Sequence, residues 1–263
     1  MADDVPLTET GSRQASKVAK ARENSEIPWI VLWASPRVIS FIFFVILFLW
    51  IYQAEGGIGF TFLTVFGWHA LLMSIFVVIL TQEAILTFSS VPLLGAYTPQ
   101  HPRFPVTFHL ALHLLGITCA ILGLVAIVQY KALSPQPEDF PFYTAYSPHS
   151  WVAMTFLSLW CFQLIGGLAL HTFARSKTGL RKYHRFLGFA VYLTGLATCM
   201  LGLQAMQSSD LAGSVPPYVN TTNFTQDQID DMGYYPDSQL ARYSSAACVL
   251  LVLQAIAVLL PHV

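Results

Sequence analysis

Six apolar runs, each long enough to cross a bilayer, dominate this chain. They lie at approximately 38–54, 60–82, 106–130, 149–172, 185–206 and 244–260. A helix needs about 20 apolar residues to cross a hydrocarbon core of about 30 Å. Only helices or closed barrels satisfy the backbone in lipid, and these runs are too long and too evenly apolar for barrel strands. The predicted fold class is an all-α membrane protein with six transmembrane helices. Composition agrees, since only 10% of residues are charged, against a usual share of about 25%. A net charge of -1 gives no footprint for a nucleic-acid partner. Cys119, Cys161, Cys199 and Cys248 fall inside apolar runs without CxxC spacing, and read as small buried hydrophobes.

Residues 1–36 are polar and mixed in charge, which predicts a disordered cytoplasmic tail rather than a secretory signal. Trp29 and Trp33 suit a membrane interface. Residues 37–263 form the predicted six-helix domain. Lys and Arg give its direction. With six spans, one side holds Arg13, Lys17, Lys20, Arg22, Arg37, Arg103, Arg175, Lys177, Arg181, Lys182 and Arg185, and the other only Lys131 and Arg242. The positive-inside rule then predicts both termini in the cytoplasm. The long loop at 207–243, predicted external, carries the sequons Asn220-Thr221-Thr222 and Asn223-Phe224-Thr225. Secretory-pathway, vesicular or plasma membranes all fit those sequons.

Spans two to five each carry a histidine toward one end. A single ionisable residue in a span is read equally well as a neutral ring bonded to a carbonyl. Four placed jointly say more. Span two runs inward and His69 lies about 14 Å into it, while His149 opens span four, so both sit in the outer half. His109 and His184 open spans that run outward, and sit in the inner half. The four thus sort into an outer pair and an inner pair. Neutral imidazole is the foremost protein ligand of haem iron, and a helix bundle can offer one from each facing helix. Two such pairs predict two b-type haems stacked across the membrane. Zinc would want three or four ligands, and no carboxylate lies at the depth of either pair. Copper on two histidines leaves the symmetry unexplained.

Gly116 and Gly123, and Gly188, Gly195 and Gly202, recur every seven residues and line one face of each helix. Room for a flat cofactor and close helix packing explain them equally well. His113, one turn beyond His109, faces the same way, as a group bonding a haem propionate or a carbonyl, or as an alternate ligand.

At these residues the chain resembles the cytochrome b561 family. Phe66-Gly67-Trp68-His69-Ala70-Leu71-Leu72-Met73 is similar to the family's W-H-P-L-L-M segment, with Ala70 in place of proline. Glu83-Ala84-Ile85-Leu86 follows downstream, and His109-Leu110-Ala111-Leu112-His113 resembles its H-x-x-x-H. Tyr146-Ser147-Pro148-His149-Ser150-Trp151 is similar to its S-L-H-S-W stretch, and Tyr183-His184-Arg185-Phe186-Leu187-Gly188 to the segment supplying the fourth ligand.

The resemblance implies a central four-helix bundle with haems held by His69 with His149 and by His109 with His184. It implies ascorbate, or another small reductant, as cytoplasmic donor and monodehydroascorbate or a ferric chelate as outer acceptor, in a protein expected to be a homodimer. Many members carry lysines between spans two and three that help hold ascorbate, where this chain has only Arg103 amid Pro99, Pro102 and Pro105. Arg181, Lys182 and Arg185, flanking His184, are the candidates to meet an anionic donor or haem propionates, beside a plain positive-inside reading. Tyr146 and Ser150, beside His149, are candidates for the acceptor mouth. Two rival readings remain, an accessory subunit of a larger membrane complex and a six-span solute transporter. The transporter reading finds few polar residues at the midplane beyond Thr118, Ser158 and Gln163.

Overall fold

The structure, a computed structural model, describes residues 27–54, 56–89, 91–93, 104–133, 147–173, 178–213 and 238–262. Among these, helices α1 (Trp29–Ala54), α2 (Phe62–Ser74), α3 (Gln82–Leu86), α4 (Phe104–Leu133), α5 (Pro148–Phe173), α6 (Thr178–Gly213) and α7 (Ser238–Leu259) follow in chain order. A π-helical stretch, Ile75–Thr81, joins α2 to α3 into one continuous rod. That gives six helices long and apolar enough to cross a membrane, as the sequence predicts. The protein is a multi-pass membrane protein. The sequons at Asn220 and Asn223, with most of the loop at 207–243, lie outside the described residues.

Local chemistry sets the helix ends. Helix α1 starts at Trp29, well before the expected start at 38, because Pro36 is tolerated inside it. Pro36 has no N–H to give the Leu32 carbonyl four residues back, a loss that membrane helices tolerate. One turn further on, the Ser40 hydroxyl donates to the Pro36 carbonyl at 2.9 Å. Trp29 and Trp33 stack at 6.3 Å between ring centroids near that end. The turn into α2 needs Gly56 and Gly57, whose φ values of 69° and 106° suit glycine. Helix α5 starts with Ser147 capping it. Its hydroxyl accepts the Ser150 N–H at 3.2 Å, with Pro148 at the first helical position, where a missing N–H costs nothing.

Helix α2 packs on α4, α5 on α6, and α1 on α7, while the π stretch touches both α4 and α6. Lipid tails are as apolar as leucine, so these helices are held by close packing rather than by a drive out of water. The π stretch supplies the centre of that packing, with Phe76 and Val78 fully buried. Phe76 meets Phe156 at 5.5 Å and Trp160 at 5.0 Å between centroids. The glycine series accommodates these side chains. A Cβ on Gly116 would lie 2.9 Å from Phe76, one on Gly195 2.8 Å from Phe156, and one on Gly123 3.0 Å from Met73. Of the two explanations for the series, close packing is the one these three contacts favour.

Candidate functional site: two facing histidine pairs

His69 stands on α2, His109 on α4, His149 on α5 and His184 on α6. The four rings meet two by two. His69 and His149 have centroids 6.3 Å apart with planes at 89°. His109 and His184 have centroids 6.4 Å apart with planes at 69°. Each pair takes one ring from the α2/α4 layer and one from the α5/α6 layer, so both face across the same seam. From His109 to Gly123, α4 rises about 21 Å, and α6 rises as much from His184 to Thr198. The two pairs are therefore held far apart along the bundle. His109 and His184 lie at the end that also carries Arg37, Arg181, Lys182 and Arg185, called the basic end below.

Backbone carbonyls fix three of the four rings. Nδ1 of His69 donates to Gly123 O at 2.9 Å, Nδ1 of His149 to Thr198 O at 3.0 Å, and Nδ1 of His109 to Ala84 O at 2.8 Å. A carbonyl oxygen only accepts, so each Nδ1 carries the proton and each Nε2 keeps its lone pair. Metal-binding histidines are held this way, with the far ring N–H tied to a carbonyl. Helix packing makes the bonds possible. His149 lies along α6 between Thr198 and Gly202, where a Cβ would come within 3.0 Å of its Cε1. His184 is seated differently. Its ring lies against Gly167, where a Cβ would come within 2.8 Å of Cε1. Its backbone carbonyl accepts a bond from the Gln163 side chain.

An iron bonded to two opposed imidazole nitrogens at about 2 Å each leaves ring centroids about 6 Å apart. Both pairs have that spacing. Among the described residues no group of three or more His, Cys, Asp or Glu side chains is placed to hold a metal ion as zinc would require. Two neutral rings, opposed across a seam between helix layers, fit a flat b-type haem.

The other expected residues fall into place unevenly. His113 touches rings on both sides, His109 at 4.5 Å and Trp160 at 5.5 Å between centroids, and so lies between the basic-end pair and the aromatic centre. Arg181, Lys182 and Arg185 are exposed on the first turns of α6, close in sequence to His184. Ser150 is half-buried and its hydroxyl pairs with that of Ser147 at 3.0 Å, so it belongs to the start of α5. Tyr146 and Arg103 lie outside the described residues. Sequence reasoning missed Gly167 and the carbonyls of Ala84, Gly123 and Thr198. It also counted Arg37 only as a topological charge. Arg37 in fact donates to Glu83 Oε2 at 2.7 Å, both side chains being largely buried. An acid and a base that each border an apolar run are a readable signal for such a pair, because each is costly near lipid without a partner.

A six-helix membrane bundle with two facing histidine pairs has the arrangement expected of a membrane cytochrome. The eukaryotic cytochrome b561 family model matches residues 68–209, more than half of the chain, and the chain belongs to that family. Membership implies b-type haem. The chain is 26% identical over 188 residues to the transmembrane ascorbate-dependent reductase of Bos taurus, covering 70% of this chain and 69% of that one. It is 28% identical to transmembrane ascorbate ferrireductase 1 of Arabidopsis thaliana, over 60% of this chain and 64% of the relative. Similarity to the probable ascorbate-specific transmembrane electron transporter 1 of Oryza sativa subsp. japonica is also 28%, over 62% and 69% respectively.

Proposed function

We propose that this chain carries single electrons across a membrane through two b haems, from ascorbate at its basic end to monodehydroascorbate or a ferric chelate at the other. The observation that carries this reading is the pair of ring spacings, 6.3 and 6.4 Å, at opposite ends of one bundle. His69 and His149 would hold one haem, and His109 and His184 the other. When bound there, haem supplies reversible one-electron chemistry at iron. The chain's own residues do the rest. Carbonyl-anchored Nδ1–H groups on His69, His109 and His149 leave each Nε2 with its lone pair and fix the ring in place. Phe76, Phe156 and Trp160 fill the centre of the bundle between the pairs and exclude water there.

Arg181, Lys182 and Arg185 place positive charge where an anionic reductant such as ascorbate would approach, and His113 lies just beneath His109. Both termini are assigned to the cytoplasm on the Lys and Arg distribution. With that orientation, an inside-negative potential favours electron export by about 2.3 kcal/mol per 100 mV. A homodimer fits the family reading.

The test is an absorption spectrum of the purified chain with a haem-to-protein ratio, followed by reconstitution into vesicles. Two haems per chain are expected, together with reduction of an impermeant ferric chelate on one face when ascorbate is supplied on the other. A ratio of one or less, or no transmembrane reduction, would overturn the reading.

A further inference from the structure

Arg37 makes three different bonds from one guanidinium. It donates to the Trp33 carbonyl one turn back, to Glu83 Oε2 at 2.7 Å and to Val91 O at 3.2 Å. It also lies over the Trp33 ring, 4.7 Å from the centroid. Glu83 and Val91 bracket the short segment that begins with α3, so Arg37 grips that segment at both ends. Further bonds stiffen the same place. The Gln82 side chain donates to Glu83 Oε1 at 3.2 Å, its Oε1 lies 3.2 Å from the Ser40 hydroxyl, and Gln254 of α7 donates to Ser40 at 3.0 Å. Thr87 returns both its N–H and its hydroxyl to the Glu83 carbonyl, at 2.9 and 2.7 Å. Between these anchors lies Ala84, whose carbonyl accepts Nδ1–H of His109 at 2.8 Å.

A charged pair buried beside lipid is costly and calls for a reason. The five residues of α3 that carry Glu83 and Ala84 directly follow a π-helical stretch, at the end of the α2–α3 rod away from His69. We propose that Arg37 is a positioning residue for the basic-end haem. By fixing α3 through Glu83 and Val91, it holds the Ala84 carbonyl that orients His109, and so tunes that haem and not the other. This rests on His109 being an iron ligand. It gives the outlying helices α1 and α7 a part in haem chemistry, through a residue outside the matched family segment of 68–209.

The test is a spectroscopic redox titration of the full-length, haem-loaded protein, comparing the unaltered chain with Arg37→Met. Loss of a partner that orients a ligand histidine typically costs about tenfold to a hundredfold in metal affinity or activity, and a change of that kind that differs between the two oxidation states appears as a shift in potential. The expected result is an approximately tenfold change in the ferrous-to-ferric ratio of one haem component at fixed potential, equal to about 59 mV for one electron. The second component stays where it was. Arg37→Lys, which keeps the ion pair but cannot span Glu83 and Val91 together, gives a smaller shift of the same component, and serves if Arg37→Met does not accumulate. Two unmoved components, or two that move together, overturn the proposal. His109→Ala separates this from failure of the underlying reading. If that variant keeps both haems, His109 is not a ligand at all.

Discussion

The two histidine pairs have nearly the same spacing but are built by different means. At the end opposite the basic residues, both rings are tied through Nδ1 to carbonyls inside long uninterrupted helices, those of Gly123 in α4 and Thr198 in α6. At the basic end, among the described residues, only His109 has such a bond, and its acceptor sits in α3 after a π-helical stretch. His184 relies on ring packing against Gly167 and on Gln163 at its backbone. One site is therefore part of the helices themselves. The other has one ring held by a carbonyl near the end of the α2–α3 rod, and one held by packing on Gly167 and by the Gln163 side chain. The comparison teaches that equal ring spacing does not require equal support.

Removing a ligand breaks the comparison most completely. His149→Ala should leave one haem per chain, and so should His109→Ala, each variant lacking a different spectral component. A pyridine haemochrome assay against protein concentration measures this directly. If the two variants lose the same component, the pairing across the seam is wrong. The next largest effect is expected from Glu83→Leu. It strands the largely buried Arg37 without its carboxylate, a class of change that costs about 3–5 kcal/mol in proteins. Thermal unfolding in detergent should fall markedly, with the basic-end haem lost first on heating. Simultaneous loss of both haems would show that the two ends are not supported separately.

Smaller changes sharpen the contrast. Gly167→Ala puts a Cβ 2.8 Å from Cε1 of His184, and Gly202→Ala puts one 3.0 Å from Cε1 of His149. Overpacking of this kind typically costs about 1–3 kcal/mol. Each should perturb the spectrum of its own haem, the Gly167 variant more strongly, because the contact is tighter and His184 has no carbonyl bond through Nδ1 among its described contacts. Equal perturbation of both components by either variant would contradict the separation of the sites.

How much of this was legible beforehand depends on what residue identity can encode. The six helices were, because a run of apolar side chains has one stable solution in lipid. The sorting of His69, His149, His109 and His184 by depth was also readable, since helical rise converts position into height. Helix ends were less so. The apolar run suggested a start near 38, yet α1 begins at Trp29 and runs through Pro36. The carbonyls of Ala84, Gly123 and Thr198 were invisible, because every residue has a carbonyl and only packing decides which one faces a ring. The π stretch was equally hidden in Ile75–Thr81, a sequence that reads as ordinary apolar helix. Gly167 fell outside the seven-residue series that drew attention to the other glycines.

The smallest expected effect tests whether support by backbone and support by side chain really differ. Thr198→Val removes a hydroxyl that bonds to the Thr194 carbonyl at 2.8 Å, but leaves in place the Thr198 carbonyl that His149 uses. Stability should change by about 1 kcal/mol or less, with no movement of either haem component. Gln163→Met keeps the side-chain volume but deletes the amide that bonds to the His184 carbonyl. It should shift the basic-end component while leaving the other unmoved. Redox titration of the two variants side by side makes the comparison. A shift with Thr198→Val, and none with Gln163→Met, would reverse the assignment of which site depends on its side chains, since the only group altered at the first position is one the ring does not touch.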